Sequence, residues 1–208
     1  MSQDLVIINT GCANISSVKY AFERLGTRVT ISDEPERLMV ADKLLLPGVG
    51  SAHTAMSSIR EKGLDALLPK LQQPVLGICL GMQLMATDSE EGPGSYLAKN
   101  RKLTQKCLNL IPTRIRRMQT HSLVLPHMGW NRVNTSTDSP LFNGIGSNAY
   151  FYFVHSFSAP ISPYTLARCE YGEDFSAAIG KDNFYGVQFH PERSGDAGAQ
   201  LLKNFIEL

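Results

Sequence analysis

The sequence predicts an α/β fold: an open, mostly parallel sheet with helices on both faces, and antiparallel additions in the C-terminal half. Three observations predict it. Short runs such as LVIIN (5–9), DKLLLPG (42–48) and PVLGIC (74–79) are apolar almost throughout, as strands covered on both faces are. The stretches between them carry apolar residues three and four apart, the helical period. Beyond about residue 123, short strand-like segments follow one another with turn residues between, which suits antiparallel pairing.

Taken in order, 5–9 is the first strand and runs into the turn-like TGCANIS. Ile15, Val18, Ala21, Phe22 and Leu25 then mark a helix that Gly26 stops. TRVTI is a second strand and DKLLLPG a third. A helical segment runs from about Ser51 to Leu71, broken at Gly63 and Pro69. PVLGIC is a strand that passes directly into a helix at LGMQLMAT. The stretch 92–120 is polar and basic and is expected to be a solvated excursion rather than a binding patch. LVLPHMGWNRV, AYFYFVHSF, YTLARCEY, SAAIGKD and FYGVQFH are strands, and Leu201, Leu202, Phe205 and Ile206 place a final helix over 197–208.

The 208 residues, 43% of them hydrophobic, suit a single domain over 1–208 with a substantial core. With 20 basic and 19 acidic residues the net charge is +1, which argues against a nucleic-acid surface. No apolar run approaches the length of a membrane span, and MSQDLVIINTG has neither signal-peptide nor transit-peptide character, so a cytoplasmic location is expected. Cys12, Cys79, Cys107 and Cys169 form no CxxC pair and no metal-type spacing with histidine.

Three segments carry chemistry. In Gly77-Ile78-Cys79-Leu80-Gly81 a cysteine sits where a strand turns sharply into a helix, with a glycine two residues to either side. That is the geometry of a nucleophile elbow, and the helix start offers N–H groups to an oxyanion. The same stretch also reads as a buried thiol between incidental glycines. In GVQFHPE, His190 follows an apolar strand and Glu192 projects to the same side two residues on, with Pro191 stiffening the pair. A carboxylate there can orient an imidazole whose other nitrogen faces a thiol; a solvated surface turn is the other reading. In LLLPGVG, glycines at a strand end let the backbone approach a ligand and flip a peptide cheaply, which suits an oxyanion loop or an ordinary βα turn.

LPGVG, GICLGMQ and GVQFHPE in this order resemble the class I glutamine amidotransferases, and the likeness runs from Leu5 to the C-terminus apart from the stretch after Gly92. PGVG in place of the commoner PGG-type loop, PHMGWN (126–131) and YFYFVHSF (150–157) are similar to one group within them, the glutaminase subunits of imidazole glycerol phosphate synthases. The resemblance implies a flavodoxin-like fold and a triad of Cys79, His190 and Glu192. It implies an oxyanion hole from Leu80 and from Val49 and Gly50. It further implies substrate contacts at Gly48, Gln83, Glu91, Ser156 and Phe157, with Glu91 meeting the α-ammonium group. No metal or cofactor is implied. The partner implied is a (β/α)₈-barrel cyclase, bound as a heterodimer, to which ammonia passes without release. Asn14, Trp130, Asn131, Tyr152 and Arg193 match positions at or near that interface. The first loop departs from the family pattern at Cys12 and Ala13, and nothing is carried over between Glu91 and Pro126.

Three other functions are weighed against this one. The glutaminase of another pathway is opposed by PGVG and MGWN together. A non-enzymatic scaffold is opposed by an intact Cys, His and Glu. A cysteine peptidase of similar fold is opposed by Gln83, Glu91 and FHPE.

Overall fold

The computed structural model describes residues 3–11, 15–92, 104–135 and 138–208. The predicted site residue Asn14, and Cys12, lie outside them. Five strands form a parallel run. β1 (Leu5–Ile8) lies between β2 (Val29–Ser32) and β3 (Lys43–Gly48), and β3 pairs with β4 (Val75–Cys79).

Three short strands follow in the chain: β5 (Asp88–Ser89), β6 (Gln105–Lys106) and β7 (Arg114–Arg117). The C-terminal half then supplies β8 (His127–Asn134), β9 (Asn148–His155), β10 (Phe157–Ser158), β11 (Thr165–Glu170), β12 (Asp174–Lys181) and β13 (Phe184–Val187). β13 completes the parallel run beside β4, and β12, β11, β8 and β9 extend it with antiparallel pairings. The large sheet therefore runs β2-β1-β3-β4-β13-β12-β11-β8-β9, and β10-β7-β5-β6 form a smaller one.

Strand parity sorts the core onto the two faces. In β1, Leu5 and Ile7 point one way and Val6 and Ile8 the other, and all four are buried. Leu5 and Ile7 join a cluster with Val18, Ala21 and Phe22 of α1 (Ile15–Arg24). Val6 and Ile8 join Met56 and Ile59 of α3 (Ala52–Glu61) on the opposite face, where α2 (Pro35–Met39) adds Leu38 and α4 (Leu64–Leu67) adds Leu64. α5 (Leu80–Leu84) follows β4 without a linking residue, and α6 (Gly195–Glu207) packs Leu201, Leu202 and Phe205 on the α1 side. α1 stops where the sequence places its stop. Gly26 takes φ +79°, and the N–H groups of Leu25, Gly26 and Thr27 turn back to the carbonyls of Phe22 and Glu23. Among the described residues no helix is long and apolar enough to cross a membrane.

One expectation is corrected. The described part of 92–120 is not a solvated excursion: Leu108, Leu110, Ile111 and Ile115 are buried in the core on the α3 side. The reason lies at the end of α5. A helix leaves its last carbonyls without intrahelical partners. Here those of Leu84, Met85 and Ala86 accept from the N–H groups of Leu108, Leu110, Ile111 and Asn109. The chain must return to this point, and it brings its apolar residues with it.

Candidate active site

The strand order puts the three motifs side by side. β3, β4 and β13 are neighbours and parallel, so PGVG, Cys79 and the segment leading to His190 all leave the same edge of the sheet. That edge, at the carboxyl ends of the strands, is where open α/β sheets build their sites. Gly48 is the register partner of Cys79 itself.

Cys79 takes φ +54° and ψ −110°, a backbone conformation that a residue with a side chain rarely adopts. Such a residue costs of order 1–3 kcal/mol and persists where its surroundings enforce it. The surroundings are three glycines. A Cβ at Gly77 would lie 2.8 Å from Gly81 and from the Met82 nitrogen. A Cβ at Gly48 would lie 2.9 Å from the Gly81 nitrogen and from Leu80 Cβ. A Cβ at Gly81 would run into the carbonyl oxygen of Leu46. The helix can begin at the strand end only because nothing but hydrogen stands at these positions.

His190 Nδ1 lies 2.8 Å from Glu192 Oε1, and the Glu192 side chain is only 5% exposed. Glu192 Oε2 is buried and has no hydrogen-bond partner among the described residues. Burial alone would push the His190 imidazole down. Hydrogen bonds to Cys79 and to Glu192, with the negative charge each can carry, outweigh it and raise the group to about 10. The imidazolium is therefore the favoured form beside the thiol. The turn is tied down on its other side: His190 N–H donates to the Tyr152 carbonyl at 2.9 Å, and Ser194 Oγ donates to the His190 carbonyl at 2.6 Å and accepts from Tyr152 N–H at 3.0 Å.

A cavity of about 400 Å³ opens over these groups. Every residue predicted for catalysis, oxyanion or substrate lines it: Gly48, Val49, Gly50, Cys79, Leu80, Gln83, Glu91, Ser156, Phe157, His190 and Glu192. Glu91 Oε2 accepts from Ala52 N–H at 3.0 Å, which fixes the carboxylate at the N-terminus of α3. The Gln83 amide nitrogen is committed within the protein, to the Phe157 carbonyl at 3.0 Å and to Gln188 Oε1 at 2.9 Å. A larger cleft, of about 780 Å³, lies over the small sheet among Asp88, Glu90, Arg114, Arg116 and Arg117, and its described lining includes neither cysteine nor histidine.

The predicted interface residues do not form one group. Trp130 and Tyr152 are cross-strand partners with rings 6.0 Å apart, edge to face, and the Arg193 guanidinium sits 4.6 Å above the Tyr152 ring. Asn131 lies on the other face of β8, turned inward to the Glu170 carbonyl and to His127. The other described cysteines separate clearly in environment. Burial pushes the Cys107 and Cys169 thiols up to about 12.

Four residues at or behind the site had no role assigned from the sequence: Gln188, Ser194, His127 and His155. Gln188 could have been found, because it lies two residues before His190 in the same extended segment and so shares its side. Its Nε2 stands 3.8 Å from Cys79 Sγ.

A thiol at a strained strand–helix corner, an imidazolium held by a carboxylate and a glycine loop in register beside them are groups that acyl transfer on an α/β sheet can use. Residues 6–208 match the class-I glutamine amidotransferase family, and the chain belongs to it. A solved glutamine amidotransferase structure, at 18% identity, superimposes with a TM-score of 0.71 over 97% of each chain, and that likeness concerns the fold. Two curated relatives are much nearer. Imidazole glycerol phosphate synthase subunit HisH of Vibrio cholerae is 56% identical over the whole of both chains. The HisH subunit of Colwellia psychrerythraea is 54% identical over 98% of this chain and 92% of its own. Within the class, the chain is a member of the HisH family of enzyme subunits.

Proposed function

We propose that the protein hydrolyses glutamine to glutamate and ammonia through a thioester on Cys79, and hands the ammonia to a cyclase subunit that makes imidazole glycerol phosphate and aminoimidazole carboxamide ribotide in histidine biosynthesis. The observation that carries this reading is the strained backbone of Cys79 beside an imidazole raised by its contacts with that thiol and with Glu192.

In the first step the Cys79 thiolate attacks the side-chain amide carbon of glutamine. The oxyanion that forms is received by the N–H of Leu80, at the start of α5, and by the loop of Val49 and Gly50 after a peptide flip. His190 then gives its proton to the leaving nitrogen, and ammonia departs. In the second step His190 takes a proton from water, the resulting hydroxide attacks the thioester, and glutamate leaves with the thiolate restored. Glu192 holds the imidazole in orientation throughout. Glu91 faces the substrate's α-ammonium group, while Gly48, Gln83 and the backbone of Ser156 and Phe157 hold the rest of the amino acid. The common cavity of these residues supports their assignment.

The partner proposed is a (β/α)₈-barrel cyclase in a cytoplasmic heterodimer. The near relatives are subunits of a synthase by name, which supports a partner. The cluster of Trp130, Tyr152 and Arg193, of which Arg193 also lines the cavity, supports the side on which it docks; Asn131 and Asn14 are proposed for the same interface on the family likeness alone. The test is Cys79→Ser in the assembled synthase, assayed with glutamine and with free ammonia. Glutamine-dependent turnover should fall by at least about 10³-fold and ammonia-dependent turnover should be kept. Full glutamine-dependent activity would refute the assignment.

A further inference from the structure

The buried polar atoms of the antiparallel half form one chain in which each proton can be assigned. The Asn131 amide is oriented by Arg132 N–H, which donates to its Oδ1 at 2.8 Å. Its Nδ2 therefore donates, to the Glu170 carbonyl at 2.9 Å and to His127 Nε2 at 3.2 Å. Accepting at Nε2, a neutral His127 carries its proton on Nδ1, which faces His155 Nε2 at 2.9 Å. His155 accepts there and donates from its own Nδ1 to the Phe157 carbonyl at 2.9 Å.

Reversing any link would set two acceptors or two donors against each other. Both histidines are buried, and burial holds both neutral. The chain goes on past Phe157. The same carbonyl accepts from Gln83 Nε2, which also donates to Gln188, whose own amide reaches Cys79.

We propose that His127 and His155 are positioning residues, each locked in its Nδ1–H tautomer from Asn131 inward, that fix the Phe157 carbonyl and with it the 156–157 backbone against which glutamine binds. The inference rests on the proposed glutaminase site and deepens it. Its physical basis is the cost of an unmade bond in a dry interior. A buried acceptor left without its donor does not wait, and the backbone or the ring moves to find another. The Phe157 carbonyl, held from two sides, has no freedom to do so. Asn131 sits in β8 between Trp130 and Arg132, which are exposed on the opposite face, so a displacement of that strand is felt first at the head of the chain.

The experiment uses the complete synthase with His127→Phe in this subunit. Phenylalanine keeps the stacking on Tyr171, at 4.1 Å between ring centroids, and on Phe153 at 4.9 Å, while removing both polar links. The KM for glutamine should rise about tenfold, the value of one lost buried hydrogen bond, with kcat little changed and ammonia-dependent activity intact. In the wild type, imidazole ¹⁵N spectra should show His127 and His155 both protonated on Nδ1 only, a readout that needs no variant to fold. An unchanged KM, a parallel fall in ammonia-dependent activity, or an Nε2–H tautomer at either ring would overturn the proposal. Cys79→Ser in the same assay separates the two readings. Loss of glutamine use there with an unchanged KM in His127→Phe removes the relay and leaves the glutaminase standing.

Discussion

Two histidine environments in this molecule titrate in opposite directions. At the mouth of the parallel run, His190 stands between a thiol and a carboxylate, and its contacts lift it to about 10. Inside the antiparallel half, His127 and His155 hydrogen-bond only to neutral groups, and burial, joined at His155 by repulsion from His127 and His190, pushes them down to about 4 and about 3. The difference teaches what each half does. The parallel half gathers charge at the edge of a rigid sheet, where chemistry needs it. The antiparallel half excludes charge and uses the same side chain as a fixed link between dipoles.

Two glycines, one from each half, differ in what they tolerate, and this gives the largest effect. In the parallel half, Gly81→Ala drives a Cβ into the Leu46 backbone, with no side chain to give way. It is expected to cost at least about 3 kcal/mol of stability. In the antiparallel half, a Cβ at Gly146 would meet nothing within 4 Å. Gly146→Ala is expected to stay within about 0.5 kcal/mol. Urea denaturation of the pair checks both. Equal losses would break the claim that close strand–helix approach, rather than glycine content, shapes the elbow.

The second effect is on stability against pH. His127 and His155 stay neutral in the fold while the unfolded chain takes up protons near pH 6.5. The unfolded state therefore binds more protons below that pH, and stability falls as pH falls from 6.5 toward 4. His190 has the opposite sign. Its raised folded value contributes stability that is complete below pH 6.5 and is lost as pH rises toward 10. Denaturation free energies across this range are expected to fall on both sides, by at least about 2 kcal/mol on the acid side. His127→Phe should flatten the acid limb and leave the alkaline limb in place. An unchanged acid limb would sharpen the comparison against the buried pair and place the acid sensitivity in carboxylates such as Asp4, whose pairing with Arg37 keeps it below its ordinary value.

The comparison also explains what the sequence could reveal. β1, β3, β4, α1 and α6 were legible because a buried strand or an amphipathic helix needs only a local pattern. The triad was legible because each member lies in a short motif whose residue types have few other uses. β5, β6 and β7 span two to four residues, too short for any period to register, and are held by backbone bonds and by side-chain partners far off in sequence, such as Arg114 on Asp88. The contact between His127 and His155 joins residues 28 positions apart, and that between Gln188 and Cys79 joins residues 109 apart. A buried histidine in a strand reads as one more core residue until its partners are known. Asn131 shows the same limit. The family likeness implies an interface position for it, and strand parity turns its side chain to the face opposite Trp130.

The central claim is that Cys79 forms a covalent bond with the substrate. The most direct measurement is acid quenching of the assembled synthase during turnover with isotopically labelled glutamine, followed by peptide mapping. A labelled glutamyl group is expected on the peptide containing Cys79, absent from those containing Cys107 and Cys169, and discharged by hydroxylamine. Label found on another residue, or steady glutamate release with no label on Cys79 at any quench time, would contradict the account.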